Sequence, residues 1–396
     1  MNRIAAFALR NPLLTLVLLL ALTAVILARL PSLGTETGYR AYLGADHPTV
    51  RELDDFIEGF GGGLPLAALF SCGDTDLCET VFDPAALAMA SQVARQLEMR
   101  PNVRRVESPA TTPLLVVSDD AIGRLALYED GAPSPELAQL RERALIDPLW
   151  RGTLVSEDGR VGAIVVELAS SESDASKATL RTLEDALAPF EARGFRYHLI
   201  GQTAQFALTD EALAADSQRL TPLMIALVGV VVFALFRSWQ SVVAALLTVG
   251  VASAWTLGFL ATLGWPQNAI TQTIAPLILV MALCNAIHLL ARYAQHRAAL
   301  AAVSRSERKE ALLRAARDAG APCLATTVTT AAGFLSFAAS DLESFVRFGI
   351  VAAGGIIGSL LLSFTLLPIA MVWLPPDRLR AGEASERWER VLTGIV

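Results

Sequence analysis

Charge is missing from five stretches of this chain: residues 11–28, 220–236, 238–291, 319–340 and 348–376 contain no Asp, Glu, Lys or Arg. That absence excludes an ordinary water-soluble helix, which needs a polar face to show to solvent. A bilayer-crossing helix needs about 20 mostly apolar residues. The run 238–291 holds 54 residues, enough for two such helices. Its natural break is Gly264-Trp265-Pro266-Gln267-Asn268, a turn-forming cluster with an interfacial tryptophan. Six transmembrane helices are therefore expected, and a mean hydropathy of +0.47 agrees.

Reactive groups are scarce as well. The four histidines are scattered, and there is no Gly-x-Ser-x-Gly, Walker phosphate loop or His-Glu-x-x-His. Direct ATP use, serine hydrolysis and zinc proteolysis have no support, so no enzyme activity, catalytic residue, cofactor or metal site is expected. Gly61-Gly62-Gly63 precedes no Lys-Ser/Thr pair and reads as a hinge or turn. Arg3 and Arg10 precede the first apolar run as in a signal peptide. That run is longer than a signal core, however, and Ala28-Arg29-Leu30-Pro31 is a poor cleavage sequence. An uncleaved helix 1 is expected, so residues 1–30 read as an amphipathic lead-in followed by a span.

What charge there is falls unevenly. Residues 31–218 carry 30 Asp/Glu against 15 Lys/Arg, whereas residues 292–320 carry seven Lys/Arg against three acids. Arg3, Arg10, Arg237 and four arginines after residue 376 fall on the side of the basic loop. The positive-inside rule then puts both termini in the cytoplasm and residues 31–218 outside, in the periplasm of a bacterial inner membrane. Anionic lipid headgroups account for the basic loop, and no nucleic-acid partner is expected.

The outer segment 31–218 is long enough to bury its own core. Leu66–Phe70, Val103–Glu107, Gly152–Ser156, Val161–Leu168 and Tyr197–Gly201 read as strands, with Glu157-Asp158-Gly159 as a hairpin signal. Helices are expected from Asp83-Pro84 to about Met99, from Ser134-Pro135 to about Ile146, and over Asp174–Arg193. That order is a split βαβ, ferredoxin-like α+β unit. Gln202–Gln218 should lead as a helix into helix 2. Helices 2–4 then occupy 219–292, an amphipathic cytoplasmic helix lies within 293–320, and helices 5 and 6 occupy 321–375. Gly349, Gly354, Gly355 and Gly358 would allow helix 6 close contacts. Residues 376–396 read as a cytoplasmic tail whose Glu386–Val396 resembles the lead-in Met1–Leu9.

These features resemble the resistance–nodulation–division (RND) superfamily, in its MmpL or hydrophobe-exporter branch. The resemblance rests on Asp46-His47-Pro48, Val103-Arg104-Arg105-Val106-Glu107-Ser108 and Leu154-Val155-Ser156-Glu157-Asp158-Gly159 in the outer segment. In the membrane part it rests on Phe236-Arg237-Ser238, His288-Leu289-Leu290-Ala291-Arg292-Tyr293 and Thr330-Ala331-Ala332-Gly333-Phe334. It implies a membrane helical bundle built on the six-helix RND repeat. The implied activity is proton-driven export of hydrophobic or lipid-like molecules such as sterols or hopanoids. The implied partners are a second repeat, or a homodimer or trimer mate, and a periplasmic carrier protein. A SecD-like translocation subunit and a non-transporting sterol- or lipid-sensing module are the alternatives.

The candidate site lies in Thr271–Tyr293, the fourth span. Asn285, His288 and Arg292 follow i, i+3, i+7 spacing and share one side of a helix. Many relatives carry an Asp where Asn285 stands, and Asn cannot carry a proton. An interhelical hydrogen bond and a vestigial relay both fit Asn285. A proton relay and a neutral packing role, bonded to a helix 5 threonine, both fit His288. Thr326 and Thr330 are the expected helix 5 partners. Cys72 and Cys78, with five residues between them on the outer side, are expected to form a disulfide rather than a metal site. Cys284 and Cys323 read as small apolar residues within the membrane.

Overall fold

Prolines and capping side chains set many of the helix starts. The computed structural model describes residues 1–36, 38–60, 65–73, 76–117, 122–169, 173–298 and 304–374. In chain order come α1 (Asn2–Arg10), α2 (Pro12–Leu27), α3 (Tyr39–Leu43), α4 (Pro48–Phe60) and β1 (Pro65–Ser71). Next are α5 (Pro84–Glu98), β2 (Val103–Glu107), β3 (Leu114–Val117), β4 (Ile122–Leu125), β5 (Tyr128–Glu129), β6 (Ala132–Pro133) and α6 (Leu137–Ile146). Then follow β7 (Val161–Leu168), α7 (Ser173–Glu191), β8 (Arg196–Ile200), α8 (Gln202–Phe236) and α9 (Trp239–Thr262). The last are α10 (Ile274–Ala298), α11 (Arg305–Leu335) and α12 (Glu343–Trp373). Two compact units emerge, one of Met1–Glu36, Ala41–Gly44 and Leu213–Val396, the other of Thr37–Arg40 and Ala45–Ala212.

The first unit is a helical bundle. Six helical stretches are long and apolar enough to cross a membrane: Pro12–Ser32, Gln202–Phe236, Trp239–Thr262, Thr271–Arg297, Arg305–Ala339 and Glu343–Trp373. Apolar surface does not drive helices together in lipid, so close packing must do it. At Gly355 a β-carbon would lie 2.5 Å from Thr256 Oγ1, and at Gly349 it would lie 2.3 Å from Phe334 O. Helix α12 thus approaches α9 and α11 more closely than any side chain at those positions permits. Trp255 Nε1 donates to Thr23 Oγ1 at 2.8 Å, tying α9 to α2. The lead-in α1 buries Ala5, Ala8 and Leu9.

One expected boundary is absent. Helix α11 runs unbroken from Arg305 through Pro322, so no separate surface helix precedes the fifth span. A proline removes only its own N–H and one rung of the ladder. The helix has already been started 17 residues earlier by a capping box, in which Ser304 Oγ accepts from Glu307 N and Ser304 N donates to Glu307 Oε2. Residues 299–303, and the tail residues 375–396 with their resemblance to the lead-in, lie outside the described residues.

The second unit holds a four-stranded sheet in the order β2-β7-β1-β8. Every neighbouring pair is antiparallel. The connection β1–α5–β2 therefore leaves a gap that β7 fills, and β7–α7–β8 leaves one that β1 fills. Side chains alternate along each strand. Leu66, Ala68 and Phe70 of β1 and Ile164, Val166 and Leu168 of β7 join Leu87, Val93, Leu183 and Leu187 of α5 and α7 in one core. The expected strand over Gly152–Ser156 is a turn with isolated bridges, of which Val155 to Gly162 is the hairpin contact. The short pairs β3–β4 and β5–β6 are additions that lack a strong alternating pattern.

Candidate functional site

Helix α10 sorts its polar residues by the line of small and apolar positions that face the bundle. Ile278, Ala282, Ala286, Leu289, Leu290 and Tyr293 are buried, and Asn285 is buried with them at 5% exposure. Val280, Cys284, His288 and Arg292 recur every four residues on the opposite side and are exposed. The three expected site residues therefore divide: Asn285 points into this bundle, while His288 and Arg292 point out of it. Arg292 Nη1 donates to Gln295 Oε1 at 3.0 Å. Among the described residues the side chains of His288 and Asn285 make no hydrogen bond. On α11, Thr326 is exposed and its hydroxyl donates back to Pro322 O at 3.1 Å and Cys323 O at 3.0 Å. Thr330 is half-buried, and Thr327 is the threonine of this helix that is fully inward.

A second polar cluster in the same unit is built across chain-distant segments. Asn268 Nδ2 donates to Ala41 O and to Ser344 Oγ, both at 3.0 Å. Its Oδ1 accepts from Ile270 N at 3.1 Å and Thr271 N at 2.9 Å, so the buried amide is satisfied on both ends. Ser344 Oγ also donates to Ala41 O. One turn along α12, Arg347 Nε donates to Glu343 Oε1 at 2.9 Å, and Nη1 lies 3.8 Å from Glu36 Oε2. The guanidinium sits 5.8 Å from the Trp265 ring centroid. One arginine, 13% exposed along its side chain, thus serves two carboxylates and an aromatic face.

The α+β unit carries an open cleft of about 1150 Å³ on the side of its sheet away from α5 and α7. Ala67, Leu69, Ala163, Val165 and Ile200 line it from the four-stranded sheet, Leu115 from β3, and Leu149 and Trp150 from the loop after α6. Charge is confined to a few groups, among them Arg105, Arg124, Glu98 and Asp147. The volume is just above the roughly 300–1,000 Å³ typical of small-molecule sites. Cys72 and Cys78 are joined in a disulfide. No cluster of metal-ligating side chains exists among the described residues.

Comparison with known proteins decides the family: the model of the MMPL family matches residues 41–396. The chain belongs to the MMPL family. A protein of Methanocaldococcus jannaschii, named only for its expected place in a membrane, is 24% identical over 377 residues, covering 94% of this chain and 93% of that one.

In this MMPL protein, titration elsewhere follows local partners. Asp158 is held below the usual carboxylate range, chiefly by the Ser156 hydroxyl and then by Arg160 N–H. Glu184 is raised, first by loss of water around it and then by the Glu211 and Asp185 charges. Sequence reasoning missed the Asn268–Ser344 and Glu36–Arg347–Glu343 contacts of the MMPL bundle. The available signal was Arg347 itself, the one charge between Ser344 and Pro376.

Proposed function

We propose that this MMPL protein is an RND-type exporter of hydrophobic or lipid-like molecules in the cell membrane. Both termini face the cytoplasm, and residues 31–218 lie outside as a ferredoxin-like domain that receives the cargo. The observation that carries this reading is the cleft: an apolar floor of Ala67, Leu69, Ala163, Val165 and Ile200 suits an acyl or sterol skeleton better than a polar solute. The exposed stripe of Cys284, His288 and Arg292 supports a second six-helix unit or a second copy seated against α10. Exposed polar groups in a span are costly in lipid and are normally covered. A carrier protein outside the membrane would take the released cargo onward.

Binding of a fluorescent long-chain acyl probe to the full chain in nanodiscs tests the cleft. Ala163→Trp, which fills the floor, should weaken binding about tenfold. Unchanged affinity in that variant would sink the assignment of the cleft. A second reading, a non-transporting lipid-sensing module, is favoured by one observation: Asn285 gives the interior of α10 no carboxylate to carry a proton.

A further inference from the structure

At the Arg-rich end of α10 and α11, three buried donor atoms have no acceptor among the described residues. Tyr293 is fully buried, and its hydroxyl has no partner among the described residues; nor do Arg297 Nη1 and Arg308 Nε. Tyr293 and Arg297 are four residues apart on α10, hence stacked on one face. Arg308 stands four residues before the buried Leu312, which places it on the inward face of α11. Tyr293 and Leu312 belong to one buried cluster, so the face of α11 that carries Arg308 packs toward the face of α10 that carries Tyr293 and Arg297.

The acids of the segment are already committed. Glu307 Oε2 accepts from Ser304 N at 2.7 Å, Glu310 pairs with Arg314, and Asp318 Oδ2 lies 2.7 Å from His296 Nε2. Two buried guanidinium N–H groups and a phenol without an acceptor are expensive to leave unmade. An anion with several acceptor oxygens would satisfy all three at once, and guanidinium geometry matches phosphate. We propose that Tyr293, Arg297 and Arg308 form a binding site for a phosphate group, from a phospholipid headgroup or from a soluble phosphate ester. Basic pockets between membrane helices are suited to lipid headgroups. The site does not depend on what the protein transports.

The test is native mass spectrometry of the full chain in detergent. The probes are phosphatidylglycerol, a phosphate-free glycolipid with the same acyl chains, and glycerol phosphate. The wild type should retain phosphatidylglycerol and not the glycolipid. Retention should fall about tenfold in Arg297→Gln and Arg308→Gln and about threefold in Tyr293→Phe, a variant that keeps the charge and the ring. The exposed Arg305→Gln, with the same loss of charge, should leave retention unchanged. Displacement of the lipid by equimolar glycerol phosphate would support the site and assign it to a soluble ester; no displacement would support it as a lipid site. Equal retention of the glycolipid, or an equal loss in Arg305→Gln, would overturn it.

Discussion

Glu343 lies directly on the backbone of Gly44: a β-carbon there would fall 1.5 Å from Glu343 Oε2. Gly44 also has φ +94°, a conformation that side chains resist. Gly44→Ala should therefore lose about 1–2 kcal/mol from the backbone alone, with more from displacing Glu343. Thermal unfolding in detergent measures it; in a Glu343→Ala background, which has already lost the Arg347 pair, Gly44→Ala should cost only the backbone part. Full tolerance of Gly44→Ala would contradict the contact.

Arg347 joins Glu343, Glu36 and Trp265 with little exposure. Arg347→Gln should cost roughly 1.5–3 kcal/mol, the scale of hydrogen bonds to charged groups. Arg347→Lys should recover only part, because an ammonium cannot span two carboxylates and stack on an indole. The melting temperatures of the two variants check this ordering.

Glu184 supplies a pH signature. Its carboxyl is raised above the ordinary value of 4.5, chiefly by desolvation. The folded state thus holds the proton more tightly than the unfolded one, and stability falls as pH rises through the folded value. Glu184→Gln should raise the melting temperature at pH 7 and change it little below the ordinary value of 4.5. A stabilisation independent of pH would rule out this cause.

The Cys72–Cys78 bridge closes a small loop. Loop-closure entropy for so short a ring gives about 2 kcal/mol. Cys72→Ser with Cys78→Ser should lower stability by that order, and reductant should lower the wild type equally while leaving the double variant unmoved.

Local signals carried much of the architecture. The uncharged runs marked six spans because charge in a bilayer core is penalised wherever it falls. Asp83-Pro84 marked the start of α5, and the Val103–Glu107 strand was legible to the residue. Contacts between distant segments were not legible. Asn268 reads as an ordinary turn residue until Ala41 and Ser344 are brought beside it. Pro322 reads as a helix start, yet α11 begins at Arg305 because Ser304 and Glu307 cap it there. In α10, helical spacing shows that Asn285, His288 and Arg292 lie near one another. Only the neighbours that pack on the helix show that Asn285 is buried while His288 and Arg292 are exposed.

Transport is the most direct measurement. The full chain in proteoliposomes, with a pH gradient and a fluorescent acyl lipid, should move the lipid across the bilayer. Ala163→Trp should reduce the rate about tenfold, in step with the weaker binding expected of that variant. A wild-type protein that binds the lipid yet moves none of it, with or without a gradient, would contradict export and leave the lipid-sensing reading in its place.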